Sequence, residues 1–257
     1  MDVPQFPAKG AQWVDVDGDG QQDLFLYGDV EAGANHLIMN NNGEFSVASA
    51  PELEEYGDLA AWADMDNDGL LDVILRDSPV GPFRILHNLG GQDFDPVPVP
   101  PYLDQPYVIV SFVDINGDGY QDIFAAKTGE YACYVFRNLG GSGFATPISV
   151  TGSSPLQITA AKWADFDSDG DVDLYVACTD ENHLFRNDGQ LPLVDCTPPI
   201  LGDIGGTDDF VWCDYDSDNQ LDLIDVSVDR GPRVFHNNVT SWSSLESRSG
   251  MGGTPRL

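Results

Sequence analysis

"WVDVDGDGQQDLFL", residues 13–26, sets four aspartates, Asp15, Asp17, Asp19 and Asp23, between two apolar runs. Carboxylates this close repel one another and oppose folding unless a positive charge sits among them. The cluster recurs as "DMDNDGLLD" from Asp64, "DINGDGYQD" from Asp114, "DFDSDGDVD" from Asp165 and "DYDSDNQLD" from Asp214. Successive first aspartates are 49, 50, 51 and 49 residues apart, a regularity that an acidic composition does not produce.

Further columns keep the same register. Trp13, Trp62, Phe112, Trp163 and Trp212 precede the cluster by two residues, and β-type runs such as "LFLY", "VILR", "IFAA" and "LYVA" follow it. A third apolar stretch ends at Asn40, Asn88, Asn138, Asn187 and Asn237, and Phe45, Phe94, Phe144, Leu191 and Trp242 mark a fourth. Asp, Asn, Gly and Pro punctuate these runs, and no segment sustains a 3.6-residue period. The expectation is an all-β protein with almost no helix, built from four-stranded units of about 50 residues, the signature of β-propeller blades. The units fall at about 1–50, 51–100, 101–150, 151–200 and 201–245, followed by a flexible Ser/Gly-rich tail over 246–257. Five blades forming one propeller domain is the first reading, and a five-repeat piece of a seven-bladed propeller is the alternative. The aromatic column before each cluster reads as packing between blades.

Position by position, the cluster offers side-chain oxygens at one, three, five and nine and a backbone carbonyl at seven. Glycine at six (Gly20, Gly69, Gly119, Gly170) supplies the positive φ of a tight reversal, and Asn219 takes its place in the fifth unit. Such an all-oxygen set suits Ca²⁺ better than Mg²⁺, which demands a tighter octahedron. An EF-hand is excluded. It needs Glu at position twelve, where this chain has Leu26, Leu75, Ala125, Val176 and Asp225, and it needs flanking helices.

The acidic loop after a W-x-D strand resembles the FG-GAP (VCBS, integrin-α-like) repeat. That resemblance covers residues 11 to 245 and implies a calcium loop joining two strands of each blade. The implied ligands are Asp15, Asp17, Asp19, Gln21 through its carbonyl, and Asp23 in the first loop. Asp64, Asp66, Asp68, Leu70 (carbonyl) and Asp72 serve the second, and Asp114, Asn116, Asp118, Tyr120 (carbonyl) and Asp122 the third. Asp165, Asp167, Asp169, Asp171 (carbonyl) and Asp173 follow, then Asp214, Asp216, Asp218, Gln220 (carbonyl) and Asp222. Five Ca²⁺ would offset ten of the 32 net negative charges and couple metal binding to folding.

The acidity, 43 Asp+Glu against 11 Lys+Arg, argues against a nucleic-acid or anionic-membrane partner. No stretch is long and apolar enough to insert in a bilayer, and no signal peptide is visible. Four cysteines, Cys133, Cys178, Cys196 and Cys213, permit either disulfides or buried thiols. Catalytic motifs such as G-x-S-x-G or H-E-x-x-H are missing. The four histidines fall into strand columns, His36 with His183 and His87 with His236, as repeat positions do.

The functional expectation is therefore a monomeric, non-catalytic scaffold for recognition or adhesion, outside the cell or on its surface. A protein partner is preferred, because the linkers "PELEEYGDL", "PYLDQPY", "SSPLQI" and "LGDIGGTDD" are too dissimilar for equivalent sugar sites. A multivalent carbohydrate-binding lectin, or a non-catalytic module of a larger surface protein or enzyme, are the alternatives.

Overall fold

A computed structural model of the chain describes residues 6–28, 33–55, 57–77, 81–127, 133–152, 156–202 and 206–245. The tail expected over 246–257 lies outside them. Five four-stranded antiparallel sheets, each with its strands in chain order, make up five β-propeller blades. Blade one holds β1 (Gly10–Val14), β2 (Asp23–Tyr27), β3 (His36–Asn41) and β4 (Glu44–Val47). Blade two holds β5 (Leu59–Ala63), β6 (Asp72–Arg76), β7 (Phe83–Asn88) and β8 (Phe94–Val97). Blade three holds β9 (Ile109–Val113), β10 (Asp122–Ala126), β11 (Cys133–Phe136) and β12 (Ile148–Ser149). Blade four holds β13 (Ile158–Ala164), β14 (Asp173–Cys178), β15 (His183–Arg186) and β16 (Val194–Asp195). One helical turn, α1 (Pro199–Gly202), precedes blade five, which holds β17 (Asp209–Cys213), β18 (Asp222–Val226), β19 (Arg233–Asn237) and β20 (Trp242–Leu245).

The chain divides into two compact units, the first containing blades one to three and the second blades four and five. Within the first unit, side-chain alternation sends β6 to two cores at once. Val73 and Leu75 join Phe25 and Leu37 of blade one, whereas Ile74 joins Ile123 and Phe136 of blade three. A strand covered on both faces has little need of polar residues, which is why the second-strand runs of the sequence are largely apolar. In the second unit Tyr175 of blade four packs with Phe210 and Leu223 of blade five. The aromatic column does part of this packing: Trp62 meets Phe25 edge-on at 5.3 Å and Trp212 meets Tyr175 at 5.9 Å. Trp13 does not; it is 60% exposed and leans on Phe45 of its own blade.

Two fourth strands start later than the aromatic column suggests. Phe144 makes only an isolated bridge with Asn138 before β12, and Leu191 precedes β16. Pro147 and Pro192 stand just ahead of these strands, and proline brings no N–H to a ladder. None of the four cysteines forms a disulfide. Burial pushes the Cys178 thiol up to about 12 and Cys196 to about 11, so neither thiol ionises readily.

One buried ion pair ties blade two to the strand linker that follows it. Arg76 in β6 grips Asp58 at 2.7 and 3.0 Å and donates to the Tyr107 carbonyl. Asp58→Ala should therefore cost about 3 kcal/mol or more, since it strands a buried guanidinium. Asp58→Ala combined with Arg76→Met should recover much of that loss. Urea unfolding midpoints of the two variants check this, and equal midpoints would contradict it.

Candidate metal centres

Each acidic loop closes the first hairpin of its blade. The residue before the loop pairs with position nine in all five blades: Val14 with Asp23, Ala63 with Asp72, Val113 with Asp122, Ala164 with Asp173 and Cys213 with Asp222. Position nine is thus the first residue of a buried strand, while positions one to five ride above it.

The carboxylates organise the loop by accepting its own N–H groups. Position one receives the N–H of position six, at 2.9 Å for Asp15 and Asp64, 2.8 Å for Asp114, 3.1 Å for Asp165 and 3.0 Å for Asp214. Position five receives the N–H of position seven: Gln21, Leu70, Tyr120, Asp171 and Gln220 donate to Asp19, Asp68, Asp118, Asp169 and Asp218 at 2.8–2.9 Å. Position three accepts from position five in the first three loops, Asp17, Asp66 and Asn116 each lying 3.1–3.2 Å from the donor. The expected left-handed residue at six is present throughout, with φ from 70° at Asn219 to 99° at Gly170.

A second left-handed residue was not foreseen. Position four also has positive φ: Gly18 (72°), Asn67 (63°), Gly117 (69°), Ser168 (61°) and Ser217 (65°). The signal was present as a column of small or amide residues, which tolerate that conformation better than bulky ones.

The position-nine aspartates are sealed at the base of the loop, with 0–1% exposure. One oxygen accepts the N–H of position two: Val16 at 3.1 Å, Met65 at 2.9 Å, Ile115 at 3.4 Å, Phe166 at 3.2 Å and Tyr215 at 3.2 Å. The other accepts the N–H of the asparagine column, from Asn40, Asn88, Asn138, Asn187 and Asn237 at 2.6–2.8 Å. Burial outweighs these bonds and raises Asp23, lifts Asp72 and Asp122 to about 6 and lifts Asp173 to about 7.

The asparagine side chains then lock neighbouring blades. Asn88 donates both to Leu71 O of its own blade and to Val16 O in the loop of blade one, at 3.0 and 2.7 Å. Asn138 does the same to Gln121 O and Met65 O, and Asn237 to Leu221 O and Phe166 O. Asn138→Ala should cost about 2 kcal/mol or more, by orphaning buried carbonyls. Thermal melting checks it; a shift below about 2 °C would contradict the clamp.

Does this geometry fit a cation? Asp15, Asp17 and Asp19 each bring an oxygen to within 4.8 Å of the others, as do Asp64, Asp66 and Asp72, and Asp165, Asp167 and Asp173. Asp15 Oδ1 and Asp167 Oδ1 are enclosed without a hydrogen-bond donor. Enclosed anionic oxygens without donors are what a hard divalent ion would satisfy. The acidic clusters could hold such an ion.

The sequence profile of the FG-GAP-like repeat matches residues 15–75, 64–125, 114–176 and 165–224, more than half of the chain. The chain belongs to the FG-GAP-like repeat family. Comparison with curated proteins gives no match. Among solved structures, this FG-GAP-like chain resembles an Agrocybe aegerita lectin described as recognising non-reducing terminal N-acetylglucosamine. The TM-score is 0.66 at 20% identity, over 91% of this chain and 64% of the lectin. It also resembles the V. cholerae biofilm matrix protein Bap1, with a TM-score of 0.50 at 17% identity over 90% of this chain and 37% of that one. The chain thus spans less than two thirds of either neighbour's length, and the likeness is one of fold.

Two clefts of the FG-GAP-like chain occupy the same place in consecutive blades. That of blade two, about 280 Å³, is lined by Glu52, Glu55, Arg84 and Val97 among others. That of blade three, about 530 Å³, has Tyr102, Gln105, Tyr134 and Pro147 at the corresponding positions, with Lys127 and Tyr107 beside them. The repeat copies the position; the volumes and the side chains differ. Among the described residues no helix is long and apolar enough to cross a membrane.

Proposed function

We infer that this chain is a calcium-stapled, non-catalytic recognition platform whose five loops each hold one ion. The observation that carries the reading is the shared loop geometry. Positions one and three come together with position five in the first loop and with the buried position nine in the second and fourth, and Asp15 Oδ1 and Asp167 Oδ1 lack donors. The named aspartates, with Asn116 in the third loop and the carbonyls of Gln21, Leu70, Tyr120, Asp171 and Gln220, would hold the ions. Their role is structural, because the loops of blades one, two and four are tied through Asn88, Asn138 and Asn237 to the next blade within their unit. Millimolar extracellular calcium suits sites of this kind, which supports a location outside the cell or on its surface. Native mass spectrometry of the calcium-loaded chain should count five ions, and fewer than three would defeat the reading.

For the ligand, a protein partner is favoured. The two clefts share a position but differ in charge and aromaticity, so they do not offer equivalent binding chemistry. One observation supports a sugar instead: the blade-three cleft sets Tyr102, Tyr107 and Tyr134 beside Gln105 and Lys127, apolar faces with polar edges. A glycan array separates the two. Binding abolished by Tyr134→Ala would establish the sugar reading, and a blank array leaves the protein partner.

A further inference from the structure

The loops are not chemically equal. The residue before the asparagine column is Met39, His87, Arg137, Arg186 and His236 in turn, and the two histidines reach the acidic loop of their own blade. Loop two is the most distinctive. His87 Nε2 lies 3.0 Å from Asp66 Oδ2, 3.5 Å from Asp68 Oδ2 and 4.0 Å from Asp72 Oδ1. That nitrogen is closed off from solvent and makes no hydrogen bond, so a proton on it is not aligned with any of these oxygens. Three carboxylate oxygens and one imidazole nitrogen converge here, and a metal ion can serve all of them from one point.

We propose that loop two is a mixed nitrogen–oxygen site that takes a zinc-class divalent ion in preference to calcium, with His87, Asp66 and Asp68 as its ligands. Ligands bound tetrahedrally at 2.0–2.1 Å stand about 3.3 Å apart, and the 3.0 and 3.5 Å separations bracket that value. Imidazole suits zinc, copper and nickel, whereas calcium takes oxygen. The site is also held in shape from the next blade. A Cβ at Gly141 would come within 2.8 Å of Asp66 Cβ, so the backbone of blade three lies directly against Asp66. The same imidazole column recurs in loop five, where His236 Nδ1 lies 3.1 Å from Asp222 Oδ1 and 3.4 Å from Asp216 Oδ2. There the nitrogen is hydrogen-bonded to Asp222, so loop two is the stronger case.

The proposal rests on reading the loops as cation sites, and one experiment separates the two ideas. The chelator-stripped full chain is titrated with Zn²⁺, and with Co²⁺ as a coloured stand-in, in the presence of excess Ca²⁺. Native mass spectrometry counts each metal, and the visible Co²⁺ spectrum reports nitrogen ligation. The expected result is a Zn²⁺ retained against calcium in the parent. His87→Gln should weaken it by more than the roughly 100-fold at which loss of an outer-shell partner tops out. His87→Asp, which restores an all-oxygen set, should exchange that zinc for calcium, and this gain confirms that the variant chain is folded. Calcium displacing all the zinc, or His87→Gln binding zinc like the parent, would overturn the proposal while leaving calcium loops intact. Zinc held at His87 with no calcium bound elsewhere would instead overturn the calcium reading and keep this one.

Discussion

Stripping divalent ions with EDTA is expected to lower the melting temperature by more than about 10 °C. An ion present at about tenfold its Kd stabilises by about 1.4 kcal/mol per site, so five loops contribute about 7 kcal/mol. For a chain of this size each kcal/mol moves the midpoint by about 2–4 °C. The pH response should reverse sign between the two samples. In ion-free protein, the burial-raised carboxyls of Asp72, Asp122 and Asp173 stay protonated up to about 6, 6 and 7, whereas the unfolded chain releases those protons near 4. The folded state then binds more protons across that window, so its stability falls as pH rises from 4 to 7. Acidifying the chelated sample from pH 7 to 5 should raise its melting point. The calcium-loaded sample should respond the other way, because the ion requires those groups ionised. Calorimetry at both pH values checks this, and slopes of the same sign would refute it.

Asp122→Ala should be the most damaging single loop substitution, and damaging even without metal. It leaves the buried N–H of Asn138 without its acceptor, at about 1–3 kcal/mol. It also removes a ligand from the third loop. Asp118→Ala, on the exposed rim of that loop, should destabilise only when calcium is present. Urea midpoints of both variants with and without EDTA test the contrast. Equal losses in EDTA would mean that base and rim carboxylates play the same part.

The neighbours in fold space do not decide a ligand. A propeller presents many surfaces, and shared architecture at 17–20% identity transfers no binding chemistry. The two equivalent clefts make the point within one chain: the same backbone position carries Glu52 and Arg84 in blade two and Tyr102 and Tyr134 in blade three.

Local chemistry fixes what a sequence can declare. The nine-residue loops, glycine at position six in four of them and the four strands per unit all follow from contacts within about 50 residues, so they were legible in the sequence. Position four, with its positive φ at Asn67 and Ser168, was written in small residues but lacks the unambiguous mark that glycine gives position six. Contacts between distant residues were another matter. That Asn88 reaches Val16, that Gly141 bears on Asp66, and that His87 leans over the Asp66 loop depend on how strands and blades pack. A column in a repeat says that a residue recurs at a strand position. It does not say which carbonyl, carboxylate or neighbouring blade that residue meets, because packing geometry sets those distances and no property of the residue itself contains them.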